Sequence, residues 1–501
     1  MGTIGRSSLR TGYIIAPLSA WFVFAVALSC PAADSLFHDA QALKSKHAGE
    51  VEKLAAWCEQ EGLAAEAKKT RESLGTQDPF KLYLPVLPQE VGPAQPPEDA
   101  SPAVAQWHAK LRKLRQEQAL ALFDLARTAV RKHQASLAYQ LAMEAIRENP
   151  DHEGVRRVFG YQKYRNQWHT AYEVKKLRAG LVWDDKFGWI SKSSLDRYQQ
   201  GERFAGGRWI PAKTDDRLHR DIGSGWKIET EHYLIRTNHS IESAVDLGKK
   251  LDNLNRLWQQ IFIRFYASEA YVDGLFSGRS QARAPELPHF DVVYFRDREQ
   301  YNEALTPVMP DIGISLGVYL AQRRTAYFFA GGDDTDRVTY HEATHQLFQQ
   351  ARQTASDVGL RANFWLVEGI AMFMESLHEE SGYYVLGGVN DVRINAARYH
   401  LAKQDFYEPF KTVTGLGMKE LQSHPKIAKL YSQMAAMTHF LVYYDGGRYR
   451  DALVACLSAV YNGNQDPALL SQLTGASYAE LDRQYREFIE SGQPRQRSSS
   501  E

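Results

Sequence analysis

The chain has 501 residues, 44% of them hydrophobic and 24% charged, a globular composition that excludes a wholly disordered or collagen-like protein. Its 60 lysines and arginines balance 60 aspartates and glutamates, so no global field recruits nucleic acid and none is expected as a partner. Three cysteines, Cys30, Cys58 and Cys456, are too few for a disulfide framework.

Residues 1–33 read as an address. Arg6 and Arg10 precede an apolar run from Tyr13 to Leu28, and small residues follow at Ser29, Cys30, Ala32 and Ala33. A basic start, a short apolar stretch and a small-residue exit predict a cleaved secretory signal peptide. The run falls short of the ~20 residues of a comfortable span, and Pro17 interrupts it. The expected location is therefore secreted, periplasmic or in the cell envelope. The alternatives are a retained amino-terminal anchor and a lipoprotein joined through Cys30. No later segment is long and apolar enough to span a bilayer, so no transmembrane span is expected in the mature chain.

Residues 34–161 are helical in pattern. Leu54, Ala55, Ala64, Ala67 and Pro79 recur 71 positions later as Leu125, Ala126, Ala135, Ala138 and Pro150. Each copy reads as a helix, a tight turn, a second helix and a stopping proline, a spacing that resembles tetratricopeptide-type helix pairs. A plain helical bundle packed on the main domain is the alternative. Prolines at 79, 85, 88, 93, 96, 97 and 102 predict an extended, irregular linker over 79–102.

Residues 162–225 carry Trp168, Trp183, Trp189 and Trp209 among glycines and short apolar pairs. Gly188-Trp189-Ile190 and Arg208-Trp209-Ile210 predict two related short strands in small β-hairpins. Large aromatics are usually buried, so the tryptophans are expected to fill a small core. Recognition of a glycan or peptide by exposed rings is the alternative.

A mixed domain is predicted over 226–491. Trp226 to Thr237 has strand character, and Ser240 is placed to cap a helix whose apolar residues from Ile241 to Ile261 recur at helical spacing. His289 to Phe295 reads as a strand, and Gly317–Ala321 with Thr325–Ala330 as a hairpin through Arg323. The remainder reads as helix, ending in a polar tail over 492–501.

One of those helices carries the chemistry. Residues 335–348 read Thr-Asp-Arg-Val-Thr-Tyr-His-Glu-Ala-Thr-His-Gln-Leu-Phe, with Thr335 placed to cap. His341 and His345, four apart, leave one face of the helix, the geometry two nitrogen ligands need to hold one Zn²⁺. Glu342 sits one helical step aside, near the metal but outside its ligands, where a carboxylate can act as general base. Chance produces His-Glu-x-x-His on the order of 0.03 times in a chain of this composition. A surface helix with two solvated histidines is the alternative.

Downstream, Phe364 to Glu375 is an apolar helix with two acids, Glu368 and Glu375, on one face. A carboxylate among apolar residues is costly to bury unless paired or bound to metal. With the histidine pair, Glu368 completes a two-histidine, one-carboxylate set with an open fourth position, the form of catalytic zinc. The alternative for Glu368 is a buried ion pair with an arginine. Gly369, lacking a side chain, lets a neighbouring helix come close.

His-Glu-x-x-His followed by Trp-Leu-x-Glu-Gly-x-Ala-x-x-x-Glu resembles the gluzincin metallopeptidases, in local wording the membrane-alanyl aminopeptidases. The whole chain looks like uncharacterised secreted gluzincin-like proteins with helical amino-terminal repeats. The resemblance implies an α+β fold: a gluzincin-like domain of small mixed sheet, zinc-binding helices and helical carboxy-terminal lobe, preceded by a helical repeat-like module. It implies zinc on His341, His345 and Glu368, Glu342 as general base, and Glu375 as a supporting acid, for which orienting a ligand histidine is a physically reasonable role. It implies a strand edge beside the active helix that holds substrate, for which Thr325–Ala330 is the local candidate. The helix from Lys429 to Leu441 matches a family helix whose tyrosine stabilises the tetrahedral intermediate, which assigns that role to Tyr431, with Tyr383, Tyr384, Tyr399 and Tyr407 as rivals.

The chain also departs from the aminopeptidases. Twenty-two residues separate His345 from Glu368, a few more than in that family, and Val367 replaces its asparagine. Gln433 and Met434 replace a Lys-Gly pair, and no Gly-Ala-Met-Glu-Asn segment is present to hold a free amine. The expected activity is exported, zinc-dependent hydrolysis of a peptide or protein substrate. The alternative is a non-catalytic surface scaffold, in which the helical repeats and tryptophan hairpins bind a protein partner.

Overall fold

Alanines let the amino-terminal helices approach one another. The structure, a computed structural model, describes residues 31–491 except 76–77, 93–95, 280–284, 286, 333–334 and 389–390. The signal-peptide reading, Cys30 as a lipid site and the polar tail lie outside the described residues. Helices α1 (Pro31–Gln60) and α2 (Ala64–Glu72) form one packed pair, α3 (Pro102–Arg131) and α4 (Ala135–Glu148) another. Ala55 and Ala67 sit in the core of the first pair with Leu54, Cys58 and Trp107. Ala126 and Ala138, at the repeated positions, are fully buried in the second.

The proline-rich linker is not wholly irregular. Lys81–Pro85 forms strand β1, which pairs antiparallel with a strand near the carboxy-terminal lobe, Tyr383–Gly387. Two leucines explain the departure: Leu82 and Leu84 alternate into the core, while Pro85 closes the strand where it disturbs least. The backbone N–H of Leu82 donates to the Tyr443 hydroxyl (3.2 Å), which in turn donates to the Leu386 carbonyl (2.5 Å).

The tryptophan region contains three hairpin–helix units where the sequence showed two. They are β2 (Tyr161–Tyr164), β3 (Gln167–Thr170) and α5 (Ala171–Arg178); β4 (Leu181–Asp184), β5 (Gly188–Ser191) and α6 (Leu195–Gln199); β6 (Glu202–Ala205), β7 (Arg208–Pro211) and α7 (Ala212–Leu218). Trp168, Trp189 and Trp209 lie on the second strand of each hairpin. Only Trp168 fills a core; Trp183, Trp189 and Trp209 are half-buried.

The main sheet has the order β11-β12-β10-β9-β8, with β8 (Trp226–Glu229), β9 (Tyr233–Thr237), β10 (Phe290–Phe295), β11 (Val318–Leu320) and β12 (Thr325–Phe329). Strands β9, β10 and β12 run parallel, and the two outer strands antiparallel to their neighbours. Thr325–Ala330 is therefore not an edge. Ala326 to Phe329 are all buried, as befits an interior strand, and β11 is the edge. Helix α8 (Ile241–Ile261) packs on β8 and β9, capped by Ser240, whose Oγ accepts from the N–H of Ser243 at 3.1 Å.

Helices α9 (Thr335–Gln350), α10 (Phe364–Met374), α11 (Val392–Gln404), α12 (Ile427–Tyr443) and α13 (Arg450–Tyr461) follow. The side chain of Thr335 is outside the described set, so its capping is not described. The helical reading of this half overlooked one hairpin, β13 (His378–Glu380) and β14 (Tyr383–Gly387), because β13 is short, polar and exposed. A Cβ on Gly369 would lie 3.0 Å from the Met434 carbonyl oxygen, so α10 and α12 touch there as the glycine suggested. The fold is α+β, with long helices and small sheets. One core runs from α3 and α4 through the main sheet to α12 and α13. Ser136 seals it by donating its N–H and hydroxyl to Asp451 at 3.1 and 2.6 Å. No helix among the described residues is long and apolar enough to cross a membrane.

Candidate metal centre

Helix α9 lies against the edge hairpin of β11 and β12, and α10 packs across it. The four-residue spacing of His341 and His345 turns both rings to α10, where Glu368 meets them. One ligand atom from each of the three residues lies within 4.8 Å of the others. The two Nε2 atoms are 3.1 Å apart, and each lies 3.7 Å from a Glu368 oxygen.

Glu375, the residue that follows Met374 and caps the carboxy-terminal end of α10, is 7% exposed and fixes this arrangement. Its Oε1 is 2.9 Å from His341 Nδ1, which leaves Nε2 as the free nitrogen that faces the cluster. Arg337 Nη2 donates to Glu375 Oε2 at 2.7 Å, and Arg393 grips both oxygens at 3.1 Å. Glu342 lies to the side of the histidines, as its position predicts. Its Oε2 accepts the backbone N–H of Tyr319, on edge strand β11, at 2.8 Å.

Burial and mutual charge shift the titration of every ionisable group in the cluster. Burial pushes Glu342 up to about 7, against the pull of His341 and the Tyr319 N–H. Burial likewise raises Glu368, with Glu375 adding to the effect. Burial lowers His341, but its hydrogen bond to Glu375 and the nearby Glu342 and Glu368 outweigh this and raise it to about 9. Burial and the His341 charge hold His345 well below its ordinary value. Burial opposes ionisation of Glu375 as well, yet hydrogen bonds from His341 and Arg393 bring it down to about 2. Two imidazoles and one carboxylate converge, with one imidazole oriented by a second carboxylate. This donor set fits a tetrahedral Zn²⁺ with one position left over.

Tyr431, on α12, is half-buried, and its hydroxyl makes no hydrogen bond to a described residue. Burial pushes its phenol up to about 12, with the Glu368 charge adding to this and Arg393 opposing it, so the ring lies in the field of the centre. The rivals are engaged elsewhere or turned outward. Tyr384 Oη accepts from Asn253 at 2.6 Å, and Tyr407 donates to Asp482 at 2.5 Å. Tyr383 packs edge-on against Tyr83, and Tyr399 is 54% exposed.

Sequence reasoning missed four contributors. The Tyr319 contact comes from main chain and has no side-chain signal. Arg337 is one turn before His341 on the same face, a spacing that was visible but unused. Arg393 reaches in from a different helix, with no fixed spacing to announce it. Tyr461 ends α13 with a fully buried hydroxyl that has no partner among the described residues, in the field of Glu368 and Tyr319.

A family model described as "Protein of unknown function (DUF1570)" matches residues 337–462. That stretch holds every side chain of the centre, from Arg337 to Tyr461. No curated protein matches the chain.

Proposed function

We propose that the chain is a zinc-dependent peptidase, exported from the cytoplasm. The observation that carries this reading is the convergence of His341, His345 and Glu368, with a half-buried carboxylate outside that set, Glu342, beside them. A merely structural site has no use for that fourth group. Export rests on the amino-terminal sequence alone.

His341, His345 and Glu368 would hold the metal. Bound there, Zn²⁺ supplies Lewis acidity to a scissile carbonyl and makes water more acidic. The remaining work falls to the chain. The Tyr319 N–H fixes one oxygen of Glu342, leaving the other to take the proton of the attacking water and pass it to the leaving amine. A Glu342 raised to about 7 suits that double role near neutrality. Tyr431 offers an uncharged O–H donor to the developing oxyanion. Strand β11 is an open edge beside Glu342, on which an extended substrate can add as a further strand.

The test is digestion of a peptide library by wild type and Glu342→Gln in parallel. The variant should keep its metal and its melting temperature and lose at least ~10²-fold in turnover, as expected for a lost general base. Equal turnover in both, or no cleavage by a zinc-loaded wild type, rejects the proposal and favours a scaffold.

A further inference from the structure

A second site lies apart from the metal centre. A cleft of about 470 Å³ opens between the first two hairpin–helix units and helix α8. That size falls within the ~300–1,000 Å³ of small-molecule sites. It shares no residue with the metal centre, and hydrolysis leaves it unexplained.

Its walls are aromatic. Tyr172, Trp183, Trp189 and Tyr384 line it, all half-buried. Trp189 meets Trp183 and Tyr172 edge-on, at 5.6 and 6.1 Å between ring centres. The indole N–H of Trp183 reaches Asp185 at 3.2 Å, while that of Trp189 meets no described residue. Three amides, Gln89, Gln167 and Asn253, also line it, with Asn253 Nδ2 donating to Tyr384 Oη and Gln167 Nε2 to Glu90.

The cations that line the cleft are already matched. Arg256 is held by Glu231 at 3.0 Å, and Lys249 by Asp185 at 2.7 Å. Asp252 accepts from Thr230 Oγ1 and from the His232 N–H, at 3.0 and 3.1 Å. Glu173 accepts the N–H of Thr170 at 2.8 Å, in a capping box. Both lining cations are thus held by carboxylates and leave nothing to select an anion, while Asp252 and Glu173, engaged by neutral donors, offer acceptor oxygens to hydroxyl groups. What remains is aromatic surface interleaved with planar hydrogen-bonding groups. Ring faces suit the C–H faces of a pyranose, and amides and carboxylates suit its neighbouring hydroxyls.

We propose that this cleft binds a neutral saccharide and so seats the protein on a glycan. The inference does not rest on the peptidase reading. A peptide ligand would draw chiefly on backbone partners, whereas the groups gathered here are rings, amides and carboxylates.

The test uses the full chain, run in native gels that contain one neutral polysaccharide each: a β-glucan, a xylan, a mannan or glycol chitin. Tryptophan emission is then titrated with the matching oligosaccharide. At least one polysaccharide should retard the wild type. Trp189→Ala should weaken that binding about tenfold or more, the scale of a lost aromatic stacking partner. Glu342→Gln should bind as wild type does. Should the Trp189→Ala chain melt early, Asn253→Ala carries the same expected direction, since it removes a lining amide and the hydrogen bond it gives Tyr384. Retardation by no member of the set overturns the proposal. So does retardation that survives both substitutions, or tryptophan emission that responds to a peptide library and to no sugar.

Discussion

Replacing Glu375 with glutamine keeps the shape of the side chain and removes its charge. The native carboxylate accepts four hydrogen bonds: from His341, from Arg337, and two from Arg393. A glutamine oxygen can still serve His341 or an arginine, but the amide nitrogen then points a donor at donors. Leaving a buried charge unpaired typically costs about 3–5 kcal/mol. Arg337 and Arg393 retain 21% and 31% side-chain exposure and recover some hydration, which brings the expected loss to about 1–3 kcal/mol. The loss at the metal is separate. Without a firm partner on Nδ1, His341 loses orientation and basicity, and such changes typically cost ~10–100-fold in metal affinity. Competition with a chromophoric chelator measures zinc affinity, and thermal unfolding of the metal-free chain measures the first effect. A double-mutant cycle with His341→Ala decides whether Glu375 acts through that ring. If it does, adding Glu375→Gln to His341→Ala weakens zinc no further. Full additivity in affinity, or an unaltered zinc affinity in Glu375→Gln alone, refutes the orienting role.

Three further outcomes are expected. Gly369→Ala would place a Cβ 2.9 Å from Thr438 Oγ1 and 3.0 Å from the Met434 oxygen, so overpacking of about 1–3 kcal/mol should lower the melting temperature and, by shifting α10, weaken zinc binding; a chain as stable and as tightly metallated as wild type contradicts the close contact. Tyr431→Phe should reduce turnover ~10²–10³-fold with zinc content and melting temperature nearly unchanged, and undiminished turnover removes it from the reaction. In the metal-free chain, burial lowers His341 but its carboxylates win, raising it from 6.5 to about 9, so its stabilising contribution is complete below pH 6.5 and lost as pH rises through 9. Melting temperature in chelator should fall across that window, and zinc should restore more at its upper end, where no proton need be displaced; a metal-free melting temperature that climbs over the same range is the contrary result.

The centre was legible where chemistry is local. A four-residue spacing on a helix fixes the meeting of His341 with His345, and an acid in an apolar helix announces Glu368 at any distance. Elements that depend on distant neighbours were hidden. Edge status belongs to a sheet and not to a strand, so Thr325–Ala330 was misplaced and the role of β11 was invisible. The first hairpin unit escaped because its turn uses Arg165 and Asn166, at φ of 51° and 66°, where only the asparagine hints at a left-handed conformation. The third announces itself through Gly206 and Gly207, at 57° and 77° in the same places. Arg393 could not have been read, because nothing in the sequence relates α11 to Glu375.

Strand β1 has a consequence for how the chain acquires its shape. Its partner β14 is the second strand of the hairpin that follows the helix of Glu368, and a Lys81–Glu380 ion pair at the same sheet joins residues 299 apart. During synthesis, Lys81–Pro85 emerges long before anything exists for it to pair with. The amino-terminal helix pairs have local contacts and can form early. The strand between them must wait through most of translation with Leu82 and Leu84 uncovered. Closing so long a loop adds little to the equilibrium cost, since that cost grows only with the logarithm of length, but it delays the final pairing. Assembly should therefore end with the sheet that braces the Glu368 helix, and a nascent or truncated chain that stops short of Tyr383 should remain open to chaperones, proteases and aggregation.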